Sequence, residues 1–218
     1  MTENDVSFPI SLKEGYARYR ADHYPRHLNT YQALAEGQEP HVMVISCCDS
    51  RVDPAAIFDA GPGELFVVRN VANLVPPHEP NGSFHGTSAA IEFAVTSLGV
   101  SDIVVMGHGQ CGGIRAYVES RNSKPEKPTI LSRWMSLVHG AQSHLRPDAP
   151  TDGPGLFKAY EYASILNSLD NLLTFPFVRQ GITNGDLTLH GAHFSIADGL
   201  LYVLEPETGQ ASPIETSE

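Results

Sequence analysis

Three short apolar runs, Val42-Met43-Val44-Ile45, Leu65-Phe66-Val67-Val68 and Ile103-Val104-Val105-Met106, constrain this chain more than anything else in it. Unbroken apolar runs of this length, rich in β-branched residues, are the pattern of buried strands. Helical patterns separate them. Asp53-Pro54 reads as an N-cap and first helical position, and Ala90, Ile91, Ala94, Val95 and Leu98 fall at helical spacing over 87–98, with Gly99 as the cap. Further helices are predicted from Gly112-Gly113, over 130–145, and over 156–173, ending before Pro176. Over 11–36 the spaced Tyr, Leu and Ala predict one or two amphipathic helices, which Pro25 should break. Buried strands separated by helices predict an α/β fold. Its centre is a mostly parallel four-stranded sheet flanked by helices, preceded by an N-terminal helical arm. Leu187, Leu189 and Leu200-Leu201-Tyr202-Val203-Leu204, around an Asp198-Gly199 turn, predict two closing strands, one of them an antiparallel edge.

At 218 residues the expectation is one domain over 1–218, with a helical arm at 1–36, a core at 37–205 and a tail at 206–218. Fourteen Lys and Arg against 25 Asp and Glu give a net charge of −11, which speaks against nucleic acid or anionic lipid as a partner and for a small substrate. No apolar stretch approaches the roughly 20 residues of a membrane span. The acidic start Met1-Thr2-Glu3-Asn4-Asp5 is followed by no apolar signal region, so the expected address is cytoplasmic, where three cysteines stay reduced and available for metal or redox chemistry.

Chemistry gathers just after the first and third apolar runs, in Cys47-Cys48-Asp49-Ser50-Arg51 and His108-Gly109-Gln110-Cys111. Both segments fall at carboxyl ends of predicted strands, where open α/β sheets place their sites. Cys47, His108 and Cys111 offer three protein ligands to a zinc ion, the number that leaves one position open for water in a catalytic site. In an extended backbone Asp49 and Arg51 share the phase of Cys47. The Asp49 carboxylate then has two options: it can join the metal as a fourth ligand, or accept paired hydrogen bonds from Arg51 and leave that position to water. Cys48 has the opposite phase and is expected to point into packing. Two thiolates and a neutral imidazole cancel the charge of zinc, so a bound water should ionise less readily than on a three-histidine site, giving an alkaline pH dependence.

With these segments in place, the chain resembles the β-class carbonic anhydrases. The resemblance rests on Cys-x-Asp-Ser-Arg, on His-x-x-Cys-Gly-Gly, on the stretch from Pro62-Gly63-Glu64 to Asn73-Leu74-Val75, and on Gly86 to Val95. It implies zinc held by Cys47, His108 and Cys111, one ion per subunit, with Asp49 and Arg51 as the catalytic pair. The implied activity is reversible hydration of carbon dioxide to bicarbonate and a proton by zinc-bound hydroxide. Substrate would be met by Gln38, Phe66, Val71, Phe93 and Gly112. Gln38 matches the glutamine of the plant-type subclass, which keeps Asp on Arg and water on zinc. The other subclass holds an inhibitory bicarbonate with Trp, Arg and Tyr; here Arg69 is present, but Val44 and Phe194 stand at the other two positions. In the family Gln38 and the pocket aromatics come from a neighbouring subunit, so the resemblance also implies an obligate dimer, with tetramer or octamer left open. Carbonyl sulfide or carbon disulfide hydrolysis at the same zinc is the alternative activity. His78 and His85, in the long loop, are left as surface residues.

Overall fold

The structure is a computed structural model that describes residues 8–80, 86–121 and 127–215. They fall into two compact units, dividing between Gln38 and Glu39. The first unit is helical: α1 (Ile10–Arg18), a π-helical turn over Tyr19–His23, α2 (Tyr24–Arg26) and α3 (Leu28–Leu34). Pro25 does not break it. The wider turn just upstream absorbs the hydrogen bond that proline cannot donate, and the helix is interrupted only at His27, where φ is −113°. Aromatic rings knit this unit together, with Tyr24 stacked on Tyr31 at 5.2 Å and Tyr19 on His23 at 5.2 Å.

The second unit is built on a six-stranded sheet of β1 (Val42–Cys47), β2 (Leu65–Asn70), β3 (Asp102–His108), β4 (Thr188–Phe194), β5 (Leu201–Leu204) and β6 (Ala211–Pro213). The spatial order is β2-β1-β3-β4-β5-β6. The first four strands are parallel, as expected; β5 runs antiparallel to β4 and β6 antiparallel to β5. β6 adds a second antiparallel strand from the segment read as tail. Three residues with one apolar side chain carry too little periodicity to announce a strand.

Strand order reverses at β1: the chain steps outward to β2, then returns past β1 to β3. That reversal makes the carboxyl ends of β1 and β3 a topological switch point, where a crevice opens because the connections leave in opposite directions. Helices α4 (Pro54–Ile57), α5 (Gly86–Glu92), α6 (Gly112–Ser120), α7 (Ile130–Met135), α8 (Gly153–Leu172) and α9 (Pro176–Asn184) complete the unit. Alternation along β1 sends Met43 and Ile45 into a core shared with Ile91, Ile165, Leu169 and Phe175, while Val44 joins Met106 and Ala192 on the other face.

Asp53 caps α4 as expected, accepting a hydrogen bond from the Ala55 amide at 3.0 Å. Gly99, at φ 66°, ends the helical stretch that runs from α5 through a π turn over Phe93–Leu98. The helix expected over 130–145 is α-helical only to Met135 and then tightens into a 3-10 helix, Ser136–His144. There the Leu137 carbonyl accepts a hydrogen bond from the Asn167 amide of α8 at 3.3 Å. α9 is not among the predicted helices, although Pro176 at its start and Gly185 in the left-handed region just past its end are the usual boundary signals. Among the described residues no helix is long and apolar enough to cross a membrane.

Candidate metal centre

β1 ends at Cys47 and β3 ends at His108, and these neighbouring parallel strands deliver both side chains to the switch point. Cys111 follows three residues later as the N-cap of α6. The donor atoms of Cys47, His108 and Cys111 all lie within 4.8 Å of one another, and all three residues are buried. Ligands at about 2.0–2.3 Å from one tetrahedral zinc need mutual spacings of this order. The imidazole is already oriented for the task. His108 Nδ1 lies 3.0 Å from the Gly109 carbonyl, an acceptor only, so the proton sits on Nδ1 and the lone pair on Nε2. Nε2 is fully buried and has no hydrogen-bond partner among the described residues. A buried, orphaned nitrogen beside two thiols fits a metal ion and is hard to account for otherwise.

The backbone around these ligands is held in conformations that L-residues rarely adopt. Ala72, Asn73 and Gln110 have φ of 65°, 49° and 57°. The Ala72 turn directs its amide at the Cys47 sulfur. Three anchors fix it: the Asn70 side chain bonds both the amide and the carbonyl of Leu74 at 2.9 Å, and the Trp134 indole donates to the Val71 carbonyl at 2.8 Å. α6 starts hard against this turn, since a Cβ on Gly113 would come within 3.1 Å of Val71 and 3.2 Å of Ala72. A larger residue there would push the Cys111 end of the site away from the Cys47 end.

The thiols divide their protons unevenly. A hydrogen bond from Cys111, helped by His108 and the Asp49 and Ala72 amides, lowers the Cys47 pKa to about 4 against the opposing effect of burial. Cys111 is pushed up by Cys47 and by burial, with the Ile114 and Gly113 amides at the start of α6 pulling the other way. His108 feels burial most strongly, which disfavours its charged form, yet Cys47, the Gly109 carbonyl and Asp49 together outweigh it and leave the ring above its ordinary value.

Asp49 is tied to Arg51. Nε donates to Oδ1 at 2.9 Å and Nη2 to Oδ2 at 2.7 Å, while the Arg51 amide adds a bond to Oδ1 at 3.0 Å. The guanidinium holds the carboxyl well below the usual carboxylate range. The two residues meet through a tight turn, with the Val52 amide on the Asp49 carbonyl at 3.1 Å, and not through the continued extended strand that their spacing suggests. Short carboxylate side chains favour such turns by bonding the amide two residues on. Arg51 also donates to the Gln110 carbonyl at 3.2 Å, linking the two ligand segments. Asp49 Oδ2 lies 3.8 Å from His108 Nε2, too far for a hydrogen bond but beside the metal position.

Other expected residues are placed as follows. Cys48 is exposed and not packed, because β1 has already ended and its amide is taken by the Asn70 carbonyl. Phe66 and Phe93 touch, with ring centroids 5.9 Å apart. Phe66 pairs with Met43 in the register that pairs Asn70 with Cys47. The aromatic pair therefore sits roughly 13 Å down the strand from the ligands of its own chain. At Gly112 a Cβ would meet no atom of the described residues within 4 Å. Gln38 is exposed at the end of the first unit. The His78 amide donates to Thr174, and His85 lies outside the described residues.

The roles of two groups at this site were not anticipated. Arg69 bonds the carbonyls of Cys47 at 3.0 Å and of Asp49 and Val52 at 2.7 Å, binding the Cys47–Val52 turn to β2. Glu161 of α8 accepts the Cys111 amide at 3.1 Å and meets His193 of β4 at 3.0 Å. Its one sequence signal is an acid between Tyr160 and Tyr162, on a helix otherwise apolar at that point.

Comparison with known proteins agrees with this geometry. The family model for carbonic anhydrase matches residues 42–201. The Arabidopsis thaliana protein "Beta carbonic anhydrase 6, mitochondrial" is 35% identical over 200 residues, spanning 90% of this chain and 68% of that protein. The chain belongs to the β-class carbonic anhydrases. Among solved β-carbonic anhydrases, CcaA superposes with a TM-score of 0.81 at 31% identity, covering 94% of this chain and 92% of the other. A tetrameric β-carbonic anhydrase from Sordaria macrospora gives 0.71 at 30% identity, covering 93% and 96%.

Proposed function

We propose that this chain catalyses the reversible hydration of carbon dioxide to bicarbonate and a proton, with zinc held by Cys47, His108 and Cys111. The observation that carries this reading is the two-pronged Asp49–Arg51 pair, which engages both carboxylate oxygens and so favours the open, plant-type arrangement over a fourth protein ligand. Zinc in such a setting is a Lewis acid that lowers the pKa of a coordinated water. The residues around it supply orientation. Asp49, kept unprotonated by Arg51, can only accept a hydrogen bond, so it turns the attacking water to present a lone pair to the substrate. Arg51 prevents the carboxylate from swinging toward the ligands. The Gly112 amide, at the start of α6, is available to a developing negative oxygen.

The apolar side of the site is supplied by a second copy. Phe66 and Phe93 lie down-strand of their own chain's ligands, so they serve the site of a partner, whereas Val71 adjoins the start of α6 at its own chain's site. β2 is an open sheet edge, and Val67, Val71 and Phe93 beside it are exposed. The opposite edge, β6, ends in Pro213, which cannot extend a ladder. The relative from Sordaria macrospora is tetrameric, in keeping with self-association here. Stopped-flow carbon dioxide hydration by zinc-loaded protein at pH 7 and pH 9 tests the proposal. Activity should be higher at pH 9, and Cys47→Ser should lose both zinc and rate. Absence of hydration at both pH values, at full zinc content, refutes the reading.

A further inference from the structure

The structure contains a buried acid that the proposed reaction does not use. Glu161 is 4% exposed and is the one buried Asp or Glu among the described residues. Burying a carboxylate is unfavourable by several kcal/mol unless every lone pair is answered. Here both oxygens are answered: Oε1 by the amide of Cys111 and Oε2 by the ring of His193, itself 2% exposed. His193 is set in turn by Tyr162, whose ring meets it edge-on at 4.8 Å. The side chain thus spans from α8 to the backbone of a metal ligand, with β4 behind it.

The Cys111 amide is the last of a series. Along 109–111 the Gly109 amide donates to the Phe194 carbonyl at 2.9 Å, the Gly109 carbonyl takes the His108 ring, and the Gln110 carbonyl takes Arg51. Without Glu161 the amide preceding the Cys111 sulfur would be buried and unpaired, next to a residue at φ 57° with reason to relax. We propose that Glu161, held by His193, is a positioning residue for the metal ligand Cys111, fixing the ligand loop through its amide and thereby setting how slowly the site releases zinc. This inference rests on the zinc site proposed above.

Zinc release into excess chromogenic chelator tests it, measured on wild type, Glu161→Leu and Glu161→Gln. Glutamine keeps an oxygen for the Cys111 amide; leucine does not. Loss of an outer partner of a metal ligand typically weakens metal binding by about 10–100-fold. Release should therefore quicken about 10–100-fold in E161L and stay within about threefold of wild type in E161Q. The cobalt-substituted E161L should also show altered visible bands, which a merely structural role would leave in place. A folded E161L with wild-type release, or an E161Q as fast as E161L, overturns the proposal. Should E161L not fold, 15N-cysteine labelling of wild type and E161Q decides. The chain has three cysteines, so the spectrum is simple. The Cys111 amide should exchange slowly with solvent and move in E161Q, and a rapidly exchanging or unmoved amide overturns the idea. A wild type that binds no zinc defeats the metal site itself, which distinguishes that failure from this one.

Discussion

Replacing Arg51 with alanine tests the link between the carboxylate and the open metal position. The substitution removes the Nε and Nη2 bonds to Asp49, at 2.9 and 2.7 Å, and spares the backbone bond at 3.0 Å. Loss of an outer partner of a metal site typically costs about 10–100-fold in activity. The Arg51 side chain is 45% exposed, so solvent screening keeps the effect near the middle of that range, about thirtyfold. Asp49 Oδ2 already stands 3.8 Å from His108 Nε2, so the freed carboxylate needs only a side-chain rotation to compete for the ion. Carbon dioxide hydration by R51A at full zinc content should accordingly fall about thirtyfold in kcat/KM. R51K should fall between, because an ammonium restores charge without the two-pronged geometry. An R51A enzyme within threefold of wild type would refute the reasoning.

With Cys47 near 4 and both Cys111 and His108 raised, the metal-free protein at pH 7 holds one thiolate, one thiol and a partly protonated imidazole, so zinc uptake should release between one and two protons, falling toward one at higher pH. Calorimetry in two buffers of different ionisation enthalpy counts them, and a release that does not fall toward one with rising pH would contradict the assignment; uptake should weaken as pH falls, more steeply below about 4, where Cys47 also takes a proton. Gly107→Ala would bring a Cβ to 2.7 Å from Ile165 Cδ1. It should destabilise the fold by about 1–3 kcal/mol, and adding Ile165→Val should recover part of the lost melting temperature. Asp102, lowered by the Ser101 hydroxyl and then by His190 across to β4, contributes stability present in full above its unfolded pKa of about 3.9 and lost as pH falls through its lower folded value. Asp102→Asn should therefore flatten the dependence of Tm on pH below about pH 4.

Local chemistry was legible in the sequence where one segment carries both the element and the reason for it. The β1 and β3 runs, the Asp53-Pro54 start, the Gly99 stop and the Cys47, His108 and Cys111 set are of this kind. The failures share a cause, which is that neighbours far along the chain decide the outcome. Pro25 is tolerated because a π turn rearranges ahead of it, and the 3-10 helix after Met135 is tied to α8 through Asn167. Extension beyond Cys47 would have put Asp49 and Arg51 in phase; the turn brings them together by another route. Glu161 and His193 lie 32 positions apart on a helix and a strand, and neither has a partner within its own segment.

The left-handed residues Ala72, Asn73 and Gln110 have a consequence for how the protein lives without its ion. Non-glycine residues in that region are unfavourable by about 1–3 kcal/mol each, and here the sheet, Trp134, Asn70 and Arg51 enforce them through bonds that need no metal. The strain is borne when the chain folds, not when zinc arrives. Loading then resembles filling a finished socket, unlike a zinc finger, where metal and fold come together. A chelated sample should keep its sheet and a cooperative melting transition, at a lower temperature, and regain zinc without refolding.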